Sequence, residues 1–173
     1  MRRIAIIGTT GSGKSWLASR LAARLGLPVV ELDALFWAAG WRGVPLELFR
    51  HRVEAALSGE GWICAGNYGQ VRDLVWGGAD TIVWLDLPRP TVLRQLFVRT
   101  VRRAWSGEDL WNTGNRESFR GALLSRQSIL LYAWRTHEAN RARFERDLPL
   151  FGAHARLVRL ADNAAVARFA AGV

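Results

Sequence analysis

A chain of 173 residues with a single cysteine, Cys64, and no apolar run near the roughly 18 residues of a membrane span reads as one soluble, cytoplasmic domain over residues 1 to 173. Neither an intrachain disulfide nor a cysteine-based metal site can be built from it. The net charge of +9 sits mainly in residues 89 to 146, with twelve basic and five acidic side chains against nine and eight over residues 1 to 88. Such a segment suits either a nucleic-acid surface or the neutralisation of a polyphosphate.

In chain order, Arg3 to Ile7 predicts a short buried strand, and Gly8-Thr9-Thr10-Gly11-Ser12-Gly13-Lys14-Ser15 follows at once. This is the phosphate-loop pattern, and its lysine is the only one in a chain with 23 arginines. At this composition the frame arises by chance roughly once in a thousand. The glycines let backbone N–H groups curl around a pyrophosphate, and a compact ammonium fits that cradle where arginine's planar fork does not. Leu17, Leu21 and Leu25 at helical spacing, with Gly26 and Pro28 as the stop, predict a helix over 14 to 25. Its positive end faces the loop, so Gly8 to Ser15 and the adjoining Trp16 are assigned to ATP, and the Ser15 hydroxyl to Mg2+.

Val29 to Leu32 predicts a second strand ending at Asp33, then a loop over 34 to 45 carrying Trp37 and Trp41. Pro45 opens a helix with Leu46, Phe49, Val53, Ala56 and Leu57 on one face. Gly61 to Ala65 is the third strand, Gly66 to Gly69 a turn, Gln70 to Trp76 a short helix and Ala79 to Leu87 the most apolar strand. Apolar strands separated by helices imply a parallel sheet covered on both faces. A helix from Pro90 places Arg99, Arg102 and Arg103 within about 100° of one another. Ser106 to Gly114 reads as a loop, Asn115 as the cap of a long helix to about Asp147, His154 to Leu160 as a fifth strand and Asn163 to Phe169 as a last helix.

As a set, these motifs resemble the adenylate-kinase-related proteins known as DNA topology modulation proteins. The likeness rests on the phosphate loop, Glu31-Leu32-Asp33 with Trp37 and Gly40-Trp41, Gly66-Asn67-Tyr68, Trp84-Leu85-Asp86-Leu87-Pro88, and an Arg-rich helix before Trp111 and Gly114-Asn115-Arg116-Glu117. It covers residues 3 to about 147. The resemblance implies an α/β fold: a P-loop NTPase of three α/β/α layers, with five parallel strands in order 2-3-1-4-5. It also implies the nucleoside-monophosphate-kinase variant, with an acceptor-binding part after strand two and a helical lid around residues 99 to 120. One departure stands out, because relatives end strand three in an Asp that anchors Mg2+ through water, and here the position is Ala65.

The resulting expectation is a phosphotransferase using ATP and Mg2+ on a small-molecule or nucleotide acceptor. Lys14, Asp33, Arg99 and Arg103 are assigned to catalysis, and Asp33, Trp37, Asn67, Tyr68 and Arg116 to the acceptor. Arg102 and Arg120 are further lid candidates. Asp33 ends a strand at the carboxyl edge of the sheet and is the acid expected to replace the one lost at Ala65. Asp86 reads either as a metal-binding acid or as a helix cap. Two alternatives stay open: a nucleotide-dependent regulator or ATPase whose basic helices meet nucleic acid or a protein partner, and an ATP binder without catalysis.

Overall fold

The computed structural model describes residues 1–106, 109, 114, 115 and 128–173. The main sheet comprises β1 (Arg3–Gly8), β2 (Val29–Glu31), β5 (Trp62–Ala65), β6 (Thr81–Leu85) and β7 (Arg156–Leu160). All pairings are parallel and the order is β2-β5-β1-β6-β7, which in order of appearance is 2-3-1-4-5. Between β2 and β5, β3 (Trp37–Ala38) and β4 (Arg42–Gly43) pair antiparallel as a separate ribbon.

The strands alternate faces, and each face receives its own helices. Ala5 and Ile7 with Trp62, Cys64, Ile82 and Trp84 meet α3 (Leu46–Ala56), α4 (Arg72–Gly77) and α6 (Ile129–Phe151) through Phe49, Val53, Trp76, Phe144 and Leu148. Ile4 and Ile6 with Ile63, Ala65, Val83 and Leu85 meet α1 (Lys14–Leu25) and α7 (Asn163–Gly172) through Leu17, Leu21, Val166 and Ala170. Trp76 and Trp84 sit on either side of Phe144, with centroids 6.2 and 5.9 Å away, so these tryptophans are core anchors. Gly26 in a left-handed conformation stops α1 as its position in the sequence predicts.

Three predicted elements differ. Asp33 does not end a strand: β2 stops at Glu31, and Leu32–Phe36 forms a short helix, α2, with Asp33 in its first turn. The predicted loop over 34 to 45 holds the end of α2 and the ribbon, with Trp41 at φ 57° in its turn. Asn115 does not open an unbroken helix to Asp147, because Ser128 has non-helical dihedrals (φ −51°, ψ 130°) and caps α6. The Asn115 side chain is buried and instead accepts from Trp41 N–H at 3.0 Å and donates to Ala38 O at 2.9 Å. Residues 116–127, with Arg116, Glu117 and Arg120, and Trp111 lie outside the described residues, as does most of the predicted loop over 106 to 114. No described helix is long and apolar enough to cross a membrane.

Candidate active site

The carboxyl edge of the sheet is where β1 turns into the phosphate loop. Gly8, Gly11 and Gly13 have φ of 151°, 86° and 94°, values that L side chains rarely adopt. A Cβ on Gly8 would stand 2.7 Å from Ser12 Oγ and 2.8 Å from Leu85 O, and one on Gly11 would stand 2.8 Å from Leu96 Cβ. The loop is therefore closed down on β6 and on α5 (Arg89–Ser106). Gly13 caps α1 without any side-chain acceptor, which leaves the first-turn N–H groups for an anion. Ser12 Oγ is buried without a hydrogen-bond partner, an orphan hydroxyl inside the cradle. Lys14 Nζ donates to Gly8 O at 2.8 Å and Thr9 O at 3.0 Å, so the ammonium rests on its own loop. Desolvation lowers it to about 8, with Arg99 adding to the fall and Asp33 and Glu31 opposing it.

Glu31, at the end of β2, escaped the sequence reading. Ser15 Oγ donates to Glu31 Oε2 at 3.1 Å, so the hydroxyl assigned to Mg2+ already faces a carboxylate. Glu31 lies in register with Ala65, whose other neighbour is Ile6, so the acid missing at the end of β5 stands one strand over. Burial raises the Glu31 carboxyl above its ordinary range, with Asp33 adding to the rise, while Ser15, Lys14 and Arg103 oppose it. The sequence signal was an acid closing a strand predicted to lie beside Ala65.

Asp33 is held from α2, where Tyr68 Oη donates to Asp33 Oδ1 at 2.6 Å. Burial first, and Asp33 second, raise the Tyr68 phenol, which stays a protonated donor. An aromatic wall surrounds this pair. Phe36 packs on Tyr68 at 4.7 Å and on Trp37 at 4.9 Å, and Trp37 meets Trp41 edge-on at 5.8 Å. Asp33, Trp37 and Tyr68 are thus brought together around Phe36. Asn67 differs: its amide engages the main chain of Gly8, accepting from the N–H at 3.2 Å and donating to the carbonyl, so it belongs to the phosphate loop.

Arg99 and Arg103 approach from α5. The first is close enough to lower Lys14 and the second to lower Glu31, which brings both assigned lid arginines to the phosphate end. Arg102 shares one wall with Arg99. With Arg94, Gln95, Arg99 and Asn163 it lines a cavity of about 670 Å3 between α5 and the start of α7, within the roughly 300 to 1,000 Å3 of small-molecule sites. Gln95 Nε2 donates to Asn163 Oδ1 at 2.9 Å, and Gln95 Oε1 is buried without a partner. Asp86 is neither metal acid nor helix cap, since Arg159 binds its Oδ2 at 2.5 and 2.8 Å and Arg141 lies 3.3 Å from its Oδ1. Among the described residues no three His, Cys, Asp or Glu form a metal cage. A serine hydroxyl beside one carboxylate suits Mg2+, which keeps waters and substrate phosphates as ligands.

No family model matches the chain. A shikimate kinase of Paramagnetospirillum magneticum is 45% identical over 56 residues, 32% of this chain and 28% of that protein, so the match spans little more than a quarter of the relative. Among solved structures, shikimate kinase from Bacteroides thetaiotaomicron superposes with a TM-score of 0.55 at 15% identity, covering 99% of this chain and 95% of that one. Shikimate kinase from Acinetobacter baumannii in complex with shikimate gives 0.57 at 16%, covering 99% and 90%. A gluconokinase from Sinorhizobium meliloti 1021 gives 0.51 at 16%, covering 99% and 94%. The fold is the P-loop fold of these small kinases.

Proposed function

We propose that the chain is an ATP-dependent phosphotransferase acting on a small hydroxylated acceptor. The observation that carries this reading is a convergence: Lys14, resting on the phosphate loop, lies in the field of Glu31 and Asp33 from one stretch of chain and of Arg99 from another. In the proposed arrangement the loop amides, Ser12 and Lys14 bind the β- and γ-phosphates. The cavity edged by Gln95 and Asn163 receives the nucleoside, whose N–H groups satisfy Gln95 Oε1. Asp33, oriented by Tyr68, accepts a hydrogen bond from the attacking hydroxyl and takes its proton as the new P–O bond forms and the bond to ADP breaks. Arg99 and Arg103 offset the charge that spreads over the transferring group. Ser15 and Glu31 would hold Mg2+, which when bound neutralises the β- and γ-phosphate oxygens.

Kinship with the DNA topology modulation proteins is part of this proposal on the motifs alone. The nucleic-acid reading is less well supported, since two of the clustered arginines turn to the phosphate loop. Similarity to a shikimate kinase and a gluconokinase supports an acceptor of that size, a hydroxylated small molecule, without choosing between them.

The test is ADP release by the full chain with Mg·ATP against a panel of small polyols, sugar acids and nucleosides, including shikimate and gluconate. Acceptor-dependent release that disappears in Lys14→Ala is the expected outcome. No Mg·ATP binding, or release indifferent to every acceptor and to Lys14→Ala, would refute the reading.

A further inference from the structure

The ladder between β1 and β5 ends at Ile6 and Ala65, with Gly66 N–H reaching Ile6 O at 3.4 Å. Beyond that point a side chain continues the pairing. Asn67 meets both main-chain groups of Gly8, taking its N–H with Oδ1 and giving a hydrogen to its carbonyl. The Gly8 carbonyl has a second donor, the Lys14 ammonium at 2.8 Å. Those two donors have different fates when a nucleotide arrives, because phosphate oxygens draw the ammonium away from the loop carbonyls. A carbonyl left without any donor in a closed loop is destabilising.

We propose that Asn67 is a positioning residue for nucleotide binding: it holds Gly8 in its positive-φ conformation and keeps the carbonyl satisfied while Lys14 exchanges that carbonyl for phosphate. The inference rests on the nucleotide-binding reading above. It also explains the order Asn67-Tyr68, in which one residue steadies the phosphate loop and the next steadies Asp33, so a single turn sets the spacing between donor and acceptor. The charged groups facing Lys14 are Glu31 from β2, Asp33 from α2 and Arg99 from α5, and Asn67 adds no charge to them.

Mg·ATP binding to the full chain, followed by calorimetry, is compared between the parent and Asn67→Ala, and Gly8 amide exchange is followed in the nucleotide-free proteins. Loss of one to two hydrogen bonds predicts about 5- to 30-fold weaker Mg·ATP, together with faster exchange at Gly8. Affinity within twofold of the parent overturns the proposal. So does a weakening that comes with a lowered unfolding temperature while Gly8 exchange stays unchanged. Asn67→Asp decides the matter where the alanine variant does not fold. Its carboxylate accepts from Gly8 N–H but cannot donate, whereas the neutral acid has both a donor and an acceptor. Its affinity relative to the parent should recover on acidification, and a ratio that stays flat overturns the proposal. Failure of the parent to bind Mg·ATP sinks the nucleotide reading itself; a parent that binds, with variants that bind equally, sinks only the role of Asn67.

Discussion

Raising the pH is the gentlest way to perturb Lys14, and the structure gives the size of the effect. In the free protein the ammonium is desolvated against Gly8 O and Thr9 O and loses its proton at about 8. Phosphate oxygens favour the charged form, so bound Mg·ATP raises that value. The sign follows: below 8 the lysine is already charged and affinity is complete, while above 8 binding must first recapture a proton. Affinity then falls about tenfold per pH unit, roughly 1.4 kcal/mol, until the bound-state value is reached. At pH 8 about half a proton is taken up per nucleotide bound. Calorimetry in two buffers of different ionisation enthalpy measures that uptake directly, and a titration from pH 7 to 9.5 measures the slope. Affinity flat to pH 9.5 in the parent would show that Lys14 is not the titrating group.

Glu31→Gln leaves the hydrogen bond to Ser15 feasible but removes the charge, and it should raise the Mg2+ concentration needed for half-maximal ATP turnover by about 10- to 100-fold. A Mg2+ dependence unchanged within twofold would assign Glu31 to packing alone. Two glycine variants separate space from backbone strain. Gly13→Ala meets nothing within 4 Å and carries only the left-handed penalty of about 1 to 2 kcal/mol, so it should unfold a few degrees earlier and still bind Mg·ATP. Gly8→Ala, 2.7 Å from Ser12 Oγ and 2.8 Å from Leu85 O, should lose Mg·ATP binding altogether, and equal affinities for the two variants would contradict the crowding.

The elements read correctly from the sequence are those whose signal is local and repeated. β1, the phosphate loop and α1 follow from glycine spacing and a leucine every fourth residue, and α1 is found over the predicted residues. The ribbon was illegible because two-residue strands carry no periodicity, and α2 because five residues, Leu32–Phe36, fall short of two helical turns. Glu31 was hidden for a different reason. Its meaning depends on register with Ala65: the resemblance implies that strands two and three are neighbours, but nothing in either segment states the offset between them. Asn67 reads as a turn residue, but it lies in irregular chain before a short 3-10 helix, and its partner, 59 positions away, is a main-chain group with no side chain to attract notice. The arginines of α5 were legible as a cluster, and only the packing of α5 against Gly11 shows that Arg99 reaches Lys14 and Arg103 reaches Glu31, while Arg99 also shares the outer cavity with Arg102.

The bond between Asn115 and the ribbon bears on how such a protein could change its acceptor. Ribbon residues 37 to 43 carry Trp37, next to the Phe36–Tyr68–Asp33 group, and Trp41 packed on it, so under the proposed function they are the segment to vary for new specificity. Their turn, however, is held at Ala38 O and Trp41 N–H by an amide from 74 to 77 positions downstream. A transplanted ribbon would therefore arrive without its fastener unless residue 115 travels with it, and the two stretches are best exchanged between relatives as one unit.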